Sequence, residues 1–135
     1  MIADVSDTQG REAVEALRAG GGKAHYVHAD VSKNAEVESL IAETVSTFGA
    51  LDYAFNNAGI MAAFGVDFAD AAEDEWDRLI AVNLKGVWLC MKYEILQMLK
   101  QGCGSIVNTA SVAGLKGTYL KAKTNGPYLI GPDGA

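Results

Sequence analysis

The chain has 135 residues, half of them hydrophobic and 21 % charged, with a net charge of −6. That is enough apolar material for one soluble globular domain with a core of its own, and the acidity speaks against nucleic acid or an anionic membrane surface as partner. No apolar run reaches the roughly 18 residues that span a bilayer, and no basic and apolar segments mark a secretory signal. Cys90 and Cys103 lack metal-ligand spacing, so reduced thiols in a cytoplasmic protein, and no metal site, are expected.

Met1 to Val5 reads as the end of a strand. Ser6 and Asp7 can cap a helix whose apolar stripe is Ala13, Val14 and Leu17, stopped by Gly20-Gly21-Gly22. Lys23 to Ala29 alternates like a second strand. After Asp30-Val31-Ser32 comes a helix with Val37, Leu40, Ile41, Val45 and Phe48 on one face, ended by Gly49. Leu51 to Phe55 is the next strand, and it stops abruptly in Asn56-Asn57-Ala58-Gly59. Strand, helix, strand, helix, strand is the rhythm of a parallel sheet with crossover helices.

Ile60 to Ala72 has no period and is expected to be loop or short turn. Glu73 to about Lys100 is helical in pattern, with a broad apolar face. Asn83 and Gly86 are weak helix formers within it, so a bulge or break is expected there. Ser105 to Thr109 is a strand ending at Ala110-Ser111. From Thr118 onward, Asn125-Gly126-Pro127 and Gly131-Pro132-Asp133-Gly134 predict irregular chain.

The strand end at Asn56–Gly59 is where the chemistry concentrates. Two carboxamides offer donors and acceptors, and a small residue followed by glycine leaves backbone uncovered for a flat ligand. In open α/β sheets, ligands bind past the carboxyl ends of strands. Asn-Asn-Ala-Gly after a hydrophobic strand resembles the short-chain dehydrogenases/reductases. So do Val82-Asn83-Leu84-Lys85-Gly86-Val87 and Gly104-Ser105-Ile106-Val107-Asn108-Thr109-Ala110-Ser111, all in the family's order.

The resemblance implies an α/β fold: a Rossmann-like, doubly wound parallel sheet. It implies NAD as cofactor and an alcohol or ketone as small-molecule substrate. Asp4 would bind the adenosine ribose, with a solvated turn carboxylate as the rival reading. Asp30 and Val31 would contact adenine, although Asp30 could equally cap a helix. Asn57, Ala58 and Gly59 would line the adenosine side. Asn83 would be the active-site asparagine whose backbone carbonyl holds a relay water; an interhelical polar contact is its rival role. Ser111 would hydrogen-bond the substrate oxygen, and would otherwise be a turn residue. The helix from Glu73 to Lys100 would pair with a symmetry mate, giving a homo-oligomer.

The departures are as informative. The glycine-rich loop that cradles a pyrophosphate precedes the acidic residue by about 20 residues, which puts it and the first strand upstream of Met1. The first strand lies in the middle of such a sheet, so the sheet is expected to be incomplete: first strand and late strands absent, with direct pairing of the flanking strands as a way to close the gap. The family's Tyr-x-x-x-Lys pair matches only Tyr119 and Lys123, and Tyr119 follows Ser111 by just eight residues; a surface tyrosine among lysines is the alternative. The expected organisation is a partial NAD-binding domain over 1–117 and an irregular tail over 118–135. The expected function is a fragment of an NAD-dependent oxidoreductase, inactive as an isolated chain. The alternative is a non-enzymatic binding or self-associating module.

Overall fold

The computed structural model describes residues 1–61, 68–111, 114, 119–121 and 127–129. In chain order these form β1 (Ile2–Asp4), α1 (Asp7–Ala19), β2 (Tyr26–His28), α2 (Asn34–Phe48) and β3 (Tyr53–Asn56). A 3-10 turn (Phe68–Asp70), α3 (Glu73–Ile80), a π-helical segment (Ala81–Gly86), α4 (Val87–Gln101) and β4 (Ser105–Asn108) follow. Two short strands, β5 (Tyr119–Lys121) and β6 (Pro127–Leu129), come last.

The local signals act as the sequence suggests. Ser6 is the N-cap of α1 and accepts from the Gln9 amide at 3.4 Å. Gly49 and Gly102 close α2 and α4 at φ of +88° and +84°, left-handed values that a side chain disfavours. The expected long helix is interrupted where Asn83 and Gly86 fall, and the interruption is one π-helical turn rather than a break. α1 differs in its stripe: Gly10 and Val14 are buried, whereas Leu17 is about half exposed. Gly10 is buried because the Tyr26 ring of β2 occupies the space a Cβ would need.

β1 pairs with β2 and β3 with β4, both parallel. The order is that of a doubly wound sheet without its middle strand. The direct pairing of β1 with β3 expected as a way to close the gap does not occur. A cavity of about 1000 Å³ separates them, lined by Ile2, Ala3 and Asp4 on one side and Tyr53, Ala54 and Phe55 on the other. The tail also departs from expectation. Tyr119–Lys121 and Pro127–Leu129 form an antiparallel ladder with Leu120 opposite Tyr128, where turn signals predict irregular chain. Tyrosine and its apolar neighbours favour a pleated backbone, and the proline sits in a two-stranded ladder, where it has an edge to occupy. The remaining tail positions lie outside the described residues.

The core sits between α2 and α4. Val37 and Leu89 are fully buried there with Cys90, and Val31 and Tyr93 pack around them. The opposite face of the β3–β4 pair is bare among the described residues. Asn56 bonds to Glu94 on α4, so alternation turns Tyr53 and Phe55 the other way, where they are 83 % and 67 % exposed.

Candidate cofactor and active site

Asp4 ends β1 and is held by its neighbours. Its Oδ1 accepts from the Ser6 amide at 2.8 Å. Its carbonyl accepts from the Ala29 amide at 3.2 Å and the Tyr26 hydroxyl at 2.9 Å. The second carboxylate oxygen has no partner among the described residues. The nearest arginine in sequence, Arg11, lies over the Tyr26 ring, 5.5 Å from its centroid, a cation–π placement.

Asp30 follows β2. Its Oδ1 accepts from the Ser32 amide at 2.9 Å, and its own amide donates to Glu36 Oε2 at 2.7 Å. Hydrogen bonding from Ser32 holds the Asp30 carboxyl below its ordinary pKa, against the upward pull of partial burial. The residue at the N-cap of α2 is Lys33, so Asp30 shapes the turn ahead of the helix instead of capping it. Val31 packs on the π-helical segment at Gly86. A Cβ at Gly86 would lie 2.8 Å from Val31 Cγ2, so only glycine lets the two approach this closely.

The Asn56–Gly59 turn is anchored from three directions. Asn56 Nδ2 donates to Glu94 Oε2 at 3.0 Å and to Asn108 Oδ1 at 2.9 Å. Asn57 Oδ1 accepts from Thr109 Oγ1 at 2.9 Å. Asn83 takes both backbone groups of Ile60: the Ile60 amide donates to its Oδ1 at 2.9 Å, and its Nδ2 donates to the Ile60 carbonyl at 2.8 Å. The side chain of Asn83 therefore makes a helix-to-loop contact. The π-helical turn around it alters the local pattern of backbone hydrogen bonds.

Asp4, Asp30, Val31, Asn57, Ala58 and Gly59 all line the cavity between β1 and β3. Asn83 and Ser111 are not among its lining residues. Ser111 lies past the carboxyl end of β4, as Gly59 lies past that of β3, and its carbonyl accepts from the Gly114 amide at 3.0 Å. Lys123 lies outside the described residues, so the spacing of Tyr119 and Lys123 gains no geometry. The lining fits the sugar and base half of a dinucleotide: a carboxylate oxygen at a strand end, an apolar contact at Val31 and uncovered backbone at Gly59. The sequence contains no G-x-G-x-x-G run, the pattern of a phosphate-cradling loop.

Glu94 is the residue that sequence reasoning missed. It is buried, lines the cavity and receives the Asn56 carboxamide. Burial raises its pKa, and the Asn56 bond only partly opposes this. Its four-residue spacing from Cys90 and Met98 puts it on their face of the helix, and the structure buries all three. Cys90, beside it, is pushed up to about 11 by burial and then by the Glu94 charge, an inert thiol.

The family profile of short chain dehydrogenases matches residues 1–123. The 2,5-dichloro-2,5-cyclohexadiene-1,4-diol dehydrogenase of Sphingobium indicum is 47 % identical over 128 residues, which is 90 % of this chain and 50 % of that protein. NAD⁺-bound xylitol dehydrogenase superposes with a TM-score of 0.82 at 34 % identity, over 86 % of this chain and 44 % of that one. An F189W actinorhodin polyketide ketoreductase with NADPH gives 0.80 at 32 % identity, over 86 % and 44 %. The chain thus spans about half the length of the curated relatives it matches, and its solved neighbours carry NAD in one case and NADPH in another. Matched over nearly its whole length and superposing on solved dehydrogenases, the chain belongs to the short chain dehydrogenase family.

Proposed function

We propose that this chain is the adenosine-binding and serine-bearing part of an NAD-dependent oxidoreductase acting on an alcohol or its carbonyl counterpart. The observation that carries the reading is the convergence of Asp4, Asp30, Val31, Asn57, Ala58 and Gly59 on one cavity. The names of a diol dehydrogenase and a xylitol dehydrogenase among the similar proteins support the substrate class.

In the whole protein, NAD supplies the hydride chemistry. The Asp4 oxygen that has no partner among the described residues accepts from a ribose hydroxyl and repels a 2′-phosphate. With Arg11 stacked on Tyr26, the preference falls to NAD over NADP. Val31 and Asp30 meet the adenine, and the bare backbone of Ala58 and Gly59 lets the nucleotide lie close. Ser111 orients the substrate oxygen by its hydroxyl. Asn83 fixes the loop through Ile60, and its own carbonyl holds the relay water. The proton-handling tyrosine–lysine pair, whether Tyr119 and Lys123 or residues elsewhere, completes the site.

The exposed apolar side chains of the α3–α4 region, among them Trp76, Trp88, Ile95 and Leu99, support a homo-oligomer. Two unpaired cysteines suit the reducing cytoplasm. The same exposed faces favour a second reading for the isolated chain, a self-associating module without catalysis.

Calorimetric titration with NAD and NADP tests the proposal. Weak but measurable NAD binding, lost in Asp4→Ala and exceeding NADP binding, is expected for the adenosine half-site alone. Equal binding of NADP would overturn the assignment of Asp4.

A further inference from the structure

Tyr26 of β2 reaches across to the strand and helix beside it. Its hydroxyl lies 2.9 Å from the Asp4 carbonyl and 2.8 Å from Asp7 Oδ1. Partial burial, followed by the Asp7 hydrogen bond, pushes the phenol up to about 12. It therefore keeps its proton at neutral pH and serves these oxygens as a donor. His28 Nδ1 lies 2.8 Å from the same Asp7 oxygen. The ring edge rests against Gly10, where a Cβ would collide with it, and Arg11 lies over the ring, 5.5 Å from its centroid. Both Asp4 and Arg11 act electrostatically on the Tyr26 hydroxyl. One side chain thus meets the strand end that carries Asp4 and the arginine nearest to it in sequence. Neither Tyr26 nor Arg11 lines the cavity that Asp4 lines.

We propose that Tyr26 is a positioning residue that sets which nucleotide the adenosine site accepts: its hydroxyl fixes the Asp4 strand end, and its ring keeps Arg11 off the ribose. This role rests on the adenosine site at Asp4 and adds to it a residue outside the cavity. A 2′-phosphate is accommodated where an arginine can reach it, because the planar guanidinium offers a phosphate paired donors. In this chain the guanidinium is held on an aromatic face instead. The ring cannot follow Arg11 outward, since its edge is seated on Gly10 and its hydroxyl is tied to Asp4 and Asp7. Off the ring, the three-methylene stem of an arginine would let the charge range over the strand end. Two devices therefore act in the same direction. Asp4 repels a 2′-phosphate, and Tyr26 withholds the cation that would offset the repulsion.

The test is calorimetric titration of the whole chain with 5′-AMP and with adenosine 2′,5′-bisphosphate, which differ only by the 2′-phosphate. The parent is expected to favour 5′-AMP. Tyr26→Leu removes the ring, and the ratio of the two affinities is expected to narrow about fivefold. Adding Arg11→Ala to Tyr26→Leu is expected to restore the parent ratio. Tyr26→Phe keeps the ring and loses the hydroxyl, so both affinities are expected to fall together with the ratio kept. A general loosening of the strand would weaken both nucleotides alike in all three variants. An unchanged ratio in Tyr26→Leu, or a narrowing that persists without Arg11, would overturn the proposal alone. Binding of neither nucleotide to the parent would overturn the adenosine site itself, and this role with it. A nucleotide-free measurement keeps the two apart: the Arg11 side-chain protons are expected to show a ring-current shift that Tyr26→Phe retains, and its absence in the parent would overturn the proposal. If Tyr26→Leu loses its circular dichroism spectrum, Arg11→Ala in the otherwise unmodified chain decides the matter. A kept ratio together with the ring-current shift in the parent supports the proposal, and a widened ratio, placing Arg11 already at the 2′-phosphate, would overturn it.

Discussion

Asn83 holds Ile60 by both of its backbone groups, one bond in each direction, at 2.9 and 2.8 Å. The contact ties a π-helical turn in one element to the residue after Gly59 in another. It fixes the Asn-Asn-Ala-Gly turn without any side chain intruding on the backbone of Gly59, beside which the Asn83 oxygen is the nearest side-chain atom. Asn83→Ala is expected to cost about 1–2 kcal/mol, since two net hydrogen bonds are lost at an exposed position. Asn83→Asp keeps the acceptor but not the donor and should fall between. Urea unfolding measures both; an alanine variant as stable as the parent would show that the loop is held by other means.

Gly86 and Val31 form the tightest joint in the site. Gly86→Ala places a methyl against Val31 Cγ2, and overpacking of this kind costs roughly 1–3 kcal/mol. Val31→Ala in the same chain should recover much of the loss. The double-mutant cycle tests this: additive effects would mean the two residues do not meet.

Glu94 makes stability depend on pH. Burial raises its native pKa, so as pH rises the unfolded chain releases this proton first. Between the ordinary glutamate value and the raised native one, the native state binds more protons and stability falls with increasing pH. Glu94→Gln has no such proton to lose. The urea midpoint of the parent should therefore drop relative to Glu94→Gln as pH goes from about 4 to 8. A difference that stays constant across that range would mean Glu94 titrates normally.

These 135 residues by themselves are expected not to transfer hydride. Nothing in them supplies a glycine-rich loop for the pyrophosphate. A general acid or base, worth about 10²–10⁴-fold, is either Tyr119 in an unusual spacing or not present. NADH absorbance against a panel of alcohols and ketones checks this. Turnover that vanishes in Ser111→Ala would show the catalytic unit to be complete.

Self-association is expected at tens of micromolar. Trp88, Ile95, Leu96 and Leu99 on α4 are all exposed, as are Tyr53 and Phe55 on the bare sheet face, and contiguous apolar surface of this sort is rarely left open. Sedimentation velocity decides it, and a monodisperse monomer would contradict the expectation. Leu99→Glu should shift the distribution toward monomer without unfolding the chain, because that side chain is exposed.

The sequence by itself determined the order of elements, the strand end at Asn56–Gly59 and the family. These depend on local signals: period, caps, turn residues and short motifs whose meaning is carried within a few neighbouring positions. It also located the irregularity in the long helix, because asparagine and glycine are weak helix formers wherever they stand. Only the tertiary structure decided that the irregularity is a π-helical turn, that the Asn83 carboxamide grips Ile60, and that Gly86 exists to admit Val31. Glu94 was hidden because a charged letter among apolar ones reads as surface until the packing of α4 on the sheet buries it. The pairing of Tyr119–Lys121 with Pro127–Leu129 was hidden by turn residues between two short apolar segments. Strand partners and the empty space between β1 and β3 are long-range properties, set by which backbone edges meet across the fold, and no local pattern encodes them.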